Sequence, residues 1–421
     1  MKERIRIFKI ILLLFIVLID AYTLNGLIIT LSPLNEITRN SIILTYSFVT
    51  IIMFLLILGF RFDTSRDPGL MKKMFRVTGT FFLLYLPKLI FAIFHLIEDI
   101  ILSITFLGHG LYTGKFNFDS VTRYTVISKI GLVFAIIAFF FVLHGIIFGR
   151  FRFKLEKSIL TFKNLPKSFD GVRIIQISDL HLGSFYGHDK ILENVVDRIN
   201  KLKPDLIFFT GDLVNNFSEE LNGWEPVLNK LNASLGKYSI LGNHDYGDYF
   251  EWNSEEEKKN NLQVLKDFHK KIGFTLLLND SEYINHNGEQ IGIIGVENWG
   301  HPPFHQYGDF KKASENLDSL PFRVLLTHDP SHWRAEIVGK EAVSLTLSGH
   351  THAMQFAFKI GKFRWSPSKY IYPEWSGLYR TNGQYLYVNR GLGFIGFPGH
   401  IGMRPEITQL TLKCENDSEK S

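Results

Sequence analysis

Cysteine is almost missing: among 421 residues only Cys414 carries a thiol. No internal disulfide can form, and no thiolate shell is available for a soft metal site. One thiol fits a reducing compartment. A large excess of one charge is missing too, since 46 Lys and Arg face 41 Asp and Glu for a net +5. Clusters beside the apolar runs account for most of that excess, favour anionic lipid headgroups and require no nucleic acid. There is no internal repeat, and low complexity is confined to a polar tail over 414–421 that reads as disordered. Nothing implies a nucleotide cofactor, and no protein partner is inferred.

What the chain does have is apolar sequence, 46% of residues, concentrated in its first 150. The runs 10–31, 41–60, 77–97 and 126–148 are each long enough to cross a hydrocarbon layer of ~30 Å. They predict an N-terminal four-helix transmembrane domain over 1–150. Lys2, Arg4, Arg6 and Lys9 give the first run the basic start of a signal peptide, but the run is too long and no small-x-small cleavage site follows. Basic residues crowd the N-terminus, the loop with Arg61, Arg66, Lys72, Lys73 and Arg76, and the exit at Arg150, Arg152 and Lys154. The positive-inside rule therefore predicts a multi-pass protein of the cytoplasmic membrane, with its N-terminus and second half facing the cytoplasm. Asp20 and Lys88 fall at matched depth in runs one and three, and an interhelical pair is expected, because either charge alone in lipid is costly. Snorkelling of Lys88 from a helix kinked at Pro87 is the alternative. His95, Glu98 and Asp99 read as interfacial.

The second half carries five short clusters of carboxylate, imidazole and amide groups: Asp179-Leu180-His181, Gly211-Asp212, Gly242-Asn243-His244-Asp245, Thr327-His328 and Gly349-His350-Thr351-His352. Apolar runs at 172–177, 206–210, 238–241, 324–327 and 344–347 precede them and read as buried strands. Ligands gathered at strand carboxyl ends are where open α/β sheets bind things. Asp, His and Asn together suit borderline ions (Mn, Fe, Zn or Co) better than calcium. Two such ions ~3.5–4 Å apart need a carboxylate between them, for which Asp212 is the candidate, and they acidify water for in-line attack on phosphorus.

On these motifs, with Asn389-Arg390-Gly391-Leu392-Gly393 and Arg404-Pro405-Glu406-Ile407, residues 150–413 resemble the calcineurin-like metallophosphoesterases, in particular the YkuE/YaeI-like membrane-associated branch. The resemblance implies an α/β metallophosphoesterase domain over 151–413, with two mixed β-sheets sandwiched and flanked by helices. It implies a first metal on Asp179, His181, Asp212 and His352, and a second on Asp212, Asn243, His328 and His350, with manganese favoured. It also implies that His244 protonates the leaving group or stabilises phosphoryl charge, with Asp245 orienting its ring. Arg390 is a candidate substrate phosphate contact. Leu213-Val214-Asn215-Asn216 after Asp212, and Asp245 after His244, depart from the protein serine/threonine phosphatases and argue against a phosphoprotein substrate. His352-Ala353-Met354-Gln355 stands where many relatives carry Gly-Gly, adding side chains near the substrate mouth.

Helices are expected over 188–202, 218–231, 254–272 and 313–317, the third capped by Ser254 with three glutamates behind it. Residues 151–165 should form a leading hairpin or edge strand. The strip 356–380 interleaves Phe358, Phe363, Trp365, Tyr370, Tyr372, Trp375 and Tyr379 with Lys359, Lys362, Arg364 and Lys369. It suits nucleic acid, a lipid interface or a hairpin packed on the sheet; the loop 394–398 suggests an apolar rim. The expected function is a membrane-anchored, dinuclear-metal hydrolase of a phosphodiester or pyrophosphate bond, with a lipid or lipid-linked precursor favoured and membrane lipids as partners. The alternatives are a tethered phosphodiesterase for soluble nucleotides, and a membrane sensor with a phosphoesterase output domain.

Overall fold

The computed structural model describes residues 2–60, 66–117, 121–302, 304–317, 320–361 and 363–415. Arg61, Lys362 and the tail beyond Glu415 lie outside them. The chain divides into two compact units, Met1–Asp63 with Lys73–His144, and Thr64–Lys72 with Gly145–Ser421.

The helices α1 (Lys2–Thr30), α2 (Glu36–Gly59), α3 (Pro68–Thr113) and α4 (Val126–Ile147) are long and apolar enough to cross a membrane. The third far exceeds the expected 77–97 and contains Pro87. Leu18, Leu44, Phe48 and Phe140 point outward, while polar groups turn inward, the arrangement lipid demands. Lys88 Nζ lies 2.6 Å from Asp20 Oδ1, both side chains buried, and Tyr85 donates to Asp20 Oδ2 at 2.7 Å. The expected pair is present, and Lys88 does not snorkel. His95 and Glu98 are buried among the helices: Arg123 bonds Glu98 at 2.8 Å, Ser128 N donates to Glu98 at 3.0 Å, and Ser128 Oγ meets His95 Nδ1 at 2.9 Å.

In the second unit β1 (Lys154–Phe162), β2 (Arg173–Ile177), β3 (Leu206–Phe209), β4 (Lys237–Ser239) and β5 (Thr275–Leu276) precede β6 (Asp280–His286), β7 (Glu289–Gly295), β8 (Arg323–Leu326) and β9 (Leu345–Ser348). A small hairpin, β10 (Phe358–Ile360) with β11 (Phe363–Trp365), then leads to β12 (Gly377–Thr381), β13 (Gln384–Val388) and β14 (Glu406–Cys414). Two six-stranded mixed sheets result, ordered β1-β14-β2-β3-β4-β5 and β12-β13-β9-β8-β7-β6. Residues 154–162 form an edge strand parallel to β14, not a hairpin, and β14 carries ordered chain through Cys414, where the tail was expected to begin.

The sheets face each other across Ile174, Leu206, Phe208, Val324, Leu326, Leu345 and Leu347, all fully buried. On the outer face of the first, α5 (Asp189–Lys201) packs Val195, Val196 and Ile199 onto Ile175, Ile207 and Phe209. The expected helix over 218–231 is instead a 3-10 turn at Ser218–Leu221 and one turn of α6 (Glu225–Leu228), because Gly223 at φ 86° and Pro226 interrupt it. The helix α7 (Glu255–Lys271) starts at Ser254, whose side chain accepts from Glu257 N, and α8 (Phe310–Ser314) is a single short helix.

Candidate metal centre

Every proposed ligand follows the carboxyl end of a strand: Asp179 and His181 after β2, Asp212 after β3, Asn243 after β4, His328 after β8, and His350 and His352 after β9. The sandwich thus brings ligands from both sheets to one edge. Two triads form there, Asp179–His181–His352 and Asp212–His328–His350, each with ligand atoms within 4.8 Å of one another.

Asp212 stands between them, its Oδ2 3.1 Å from His328 Nε2 and 3.6 Å from His181 Nε2. Asn243 Oδ1 is 2.8 Å from His350 Nδ1, and Tyr372 OH meets the far nitrogen of that ring at 2.8 Å. His328 Nδ1 donates to the Thr210 carbonyl at 2.7 Å, and His181 Nδ1 to that of Val214 at 3.2 Å. Those bonds fix the tautomers and leave both Nε2 lone pairs facing the cluster. His181 Nε2 and His352 Nε2 are only 3.0 Å apart, and His352 Nδ1 is buried without a hydrogen-bond partner.

Burial pushes the His181 ring down to about 3, so it stays neutral. Burial also opposes charge on His328, but the Asp212 and Asp179 carboxylates outweigh it and raise that ring to about 10. Imidazole lone pairs crowded against carboxylates that demand positive charge are a donor set that fits divalent cations.

The backbone is bent to make this cluster. Asp179, His181, Asp212, His350 and His352 all have positive φ, between 41° and 69°. Left-handed conformations of non-glycine residues cost of order 1–3 kcal/mol each and concentrate at functional sites. Ala353 and Met354, which follow the last of these ligands, share that strain at φ 49° and 48°. Gly349 is required: a Cβ there would run into Ser178 Oγ and Asp179 Oδ2.

His244 donates through Nδ1 to the Asn215 carbonyl at 2.7 Å, and its backbone N–H meets Asp212 Oδ1 at 2.9 Å. Asp245 does not orient that ring. Its carboxylate accepts from the backbone N–H of Asp212, Leu213, Val214 and Gly242 at 2.8–3.2 Å, clamping the Asp212 loop. Burial and the Asp212 charge raise its pKa to about 7 against those amide donors. Glu220 was not singled out from sequence, yet it is buried and accepts from the backbone N–H of Asn215, Asn216 and Phe217, setting the carbonyl that holds His244. Tyr249 OH, also unanticipated, receives a 2.7 Å bond from Asn243 Nδ2. No local spacing signals either residue.

Arg390 is placed elsewhere than the sequence suggested. Its guanidinium pairs with Glu406, bonds Glu156 at 3.0 Å and Ser376 Oγ at 3.1 Å, and reaches the Arg404 carbonyl at 3.2 Å. With those donors engaged, none is directed at the triads. Of the loop expected to form an apolar rim, Phe394 and Pro398 are buried, Ile395 and Phe397 are half-buried, and Gly396 is exposed.

Residues 172–354 match the family of calcineurin-like phosphoesterases, and residues 4–150 match a transmembrane domain described as that of a probable calcineurin-like phosphoesterase. The metallophosphoesterase YkuE of Bacillus subtilis is 35% identical over 258 residues, 60% of this chain and 82% of YkuE. A transmembrane protein with a metallophosphoesterase domain from Danio rerio is 31% identical over 60% of this chain and 55% of its own length. A metallophosphoesterase of Aquifex aeolicus is 29% identical over 62% of this chain and 92% of its own. The chain therefore belongs to the calcineurin-like phosphoesterases, as a membrane member of a family of metal-dependent phosphoric-ester hydrolases.

Proposed function

We propose that the chain hydrolyses a phosphodiester or pyrophosphate bond of a lipid or lipid-linked precursor, at a two-metal centre facing the cytoplasm. The observation that carries the reading is the pair of Asp/His triads, all buried but the half-buried His350, meeting at one edge of the sandwich. Asp179, His181, Asp212 and His352 would hold one ion and Asp212, Asn243, His328 and His350 the other, with Asp212 shared and manganese favoured by the nitrogen–oxygen donor set. Bound ions of this kind supply positive charge for a phosphoryl group and acidify water.

The protein's own share is positioning and proton transfer. Asn215, itself fixed by Glu220, keeps the Nδ1 proton of His244 engaged, so the Nε2 of that ring is the position from which a proton reaches the leaving oxygen. Tyr372 and Asn243 hold the His350 ring from either side. Four apolar helices keep the enzyme at a bilayer, which supports a lipid substrate.

Detergent-purified full-length protein with added Mn should cleave bis-p-nitrophenyl phosphate, with about two metals per chain, and Asp212→Asn should lose both activity and metal. A folded, metal-loaded protein inactive on diesters and on polyprenyl diphosphates would overturn the reading. Orientation is tested at the sole thiol. A membrane-impermeant maleimide should label Cys414 only after lysis, and labelling of intact cells would reverse the topology.

A further inference from the structure

A cavity of about 320 Å³ opens in the catalytic unit, and none of the seven proposed metal ligands lines it. Six cationic side chains, Lys154, Lys157, Lys359, Arg364, Arg390 and Arg404, surround it against one carboxylate, Glu156. That carboxylate is already engaged, 2.7 Å from Lys154 and 3.0 Å from Arg390. Lys157, Lys359, Arg364 and Arg404 have no carboxylate partner among the described residues.

The hairpin register intensifies the imbalance. Lys359 and Arg364 stand directly opposite each other in β10 and β11, an arrangement that repels when nothing lies between the charges. Alternation along the same two strands turns Phe358, Ile360, Phe363 and Trp365 to the other face. Phe358 and Trp365 stack there with ring centroids 6.4 Å apart, whereas Ile360 and Phe363 at the tip are 76% and 62% exposed; Tyr370, whose hydroxyl meets Trp365 Nε1 at 3.4 Å, is 74% exposed. One small element therefore carries two cations without a carboxylate partner on one face, Arg364 donating to the Ser376 carbonyl at 2.9 Å and lying over the Trp375 and Tyr379 rings, and unburied apolar surface on the other.

We propose that the cavity and hairpin tip form a binding site for the headgroup of an anionic phospholipid, separate from the metal centre. The phosphate would lie among Lys157, Lys359, Arg364 and Arg404, and Ile360, Phe363 and Tyr370 would enter the interfacial layer, where aromatics and lysines are at home. A small soluble anion would satisfy the cations but leave the apolar tip unexplained. Chain reach agrees: Lys154 is seven residues past Ile147, the end of α4, so it lies within about 25 Å of that end.

The test uses full-length metal-loaded protein in neutral detergent, titrated calorimetrically with dihexanoyl phosphatidylglycerol, dihexanoyl phosphatidylcholine and inorganic phosphate. The anionic lipid should bind at least about tenfold more tightly than the zwitterionic one. Lys157→Glu with Lys359→Glu, both on exposed side chains, should erase that preference, a loss of about tenfold or more. Cleavage of bis-p-nitrophenyl phosphate by that variant should be unchanged, which separates this site from the reading of the metal centre. Ile360→Ser with Phe363→Ser should weaken the anionic lipid and leave inorganic phosphate unaffected. Equal binding of the two lipids, or a preference that survives the double charge reversal, overturns the proposal. A reversal that weakens inorganic phosphate as much as the lipid makes the cavity a small-anion site and overturns the lipid assignment.

Discussion

Asp245 shows how much of a metal site is backbone control. A carboxylate accepting four amide N–H bonds fixes the loop that presents Asp212, and Asn cannot accept with both side-chain atoms. Asp245→Asn should therefore cost about 2 kcal/mol or more, seen as a lowered Tm, together with weakened metal binding in a metal assay. His244→Ala should behave differently, keeping both metals while kcat falls roughly 10²–10⁴-fold, with the largest loss for poor leaving groups. His269 makes a separate prediction at some distance from this chemistry. It is buried, neither ring nitrogen has a hydrogen-bond partner, and burial lowers its pKa to about 3. The unfolded chain takes up a proton near pH 6.5 that the folded ring refuses down to about pH 3. Stability is thus full above about 6.5 and is lost as pH falls, by about 2 kcal/mol at pH 5. His269→Leu should flatten the denaturation profile between pH 7 and pH 5. The groups that gather in the two triads were legible in the sequence because each belongs to a short polar word after an apolar strand. The clamp by Asp245, the support from Glu220 and the left-handed backbone were not, since they depend on contacts between loops that only the folded sheets bring together.

At the level of elements, strands were easier to foresee than their surroundings. The runs leading into the ligand clusters became β2, β3, β4, β8 and β9 within a residue or two, because a doubly covered strand must be apolar throughout. Residues 218–231 carried enough apolar residues to suggest a helix, yet Gly223 and Pro226 divide them. The aromatic strip resolves into two parts: Tyr372 and Trp375 are buried, with Tyr372 bonded to His350, and Phe363 and Tyr370 are exposed. In the helical unit the Asp20–Lys88 contact joins α1 to α3 and is reinforced by Tyr85 and, at 2.9 Å from Lys88, by Thr50 of α2. Lys88→Leu should leave a carboxylate unpaired and cost about 3–5 kcal/mol, whereas Asp20→Leu with Lys88→Leu should recover most of it. Expression and Tm of the single variant equal to wild type would show that the pair carries no stability.

Over the whole molecule, two units with separate apolar cores share one chain, and the distribution of tryptophan makes them separately visible. Trp224, Trp252, Trp299, Trp333, Trp365 and Trp375 all lie in the catalytic unit, and the first 150 residues contain none. The long helices α1–α4 supply most of the helical signal. Metal bound only to the folded catalytic unit stabilises it by RT ln(1 + [L]/Kd), about 2.7 kcal/mol at a hundredfold excess over Kd. At about 2–4 °C per kcal/mol for a unit of this size, that corresponds to roughly 5–10 °C in Tm. Chelation should therefore lower the tryptophan-fluorescence transition by at least that amount while leaving the ellipticity transition of the helical unit in place. Restoring Mn should return the first transition, and Asp212→Asn should abolish the response. A chelator effect of equal size on both transitions would mean that the helices and the sandwich unfold as one cooperative body, and the membrane unit would then be energetically part of the enzyme.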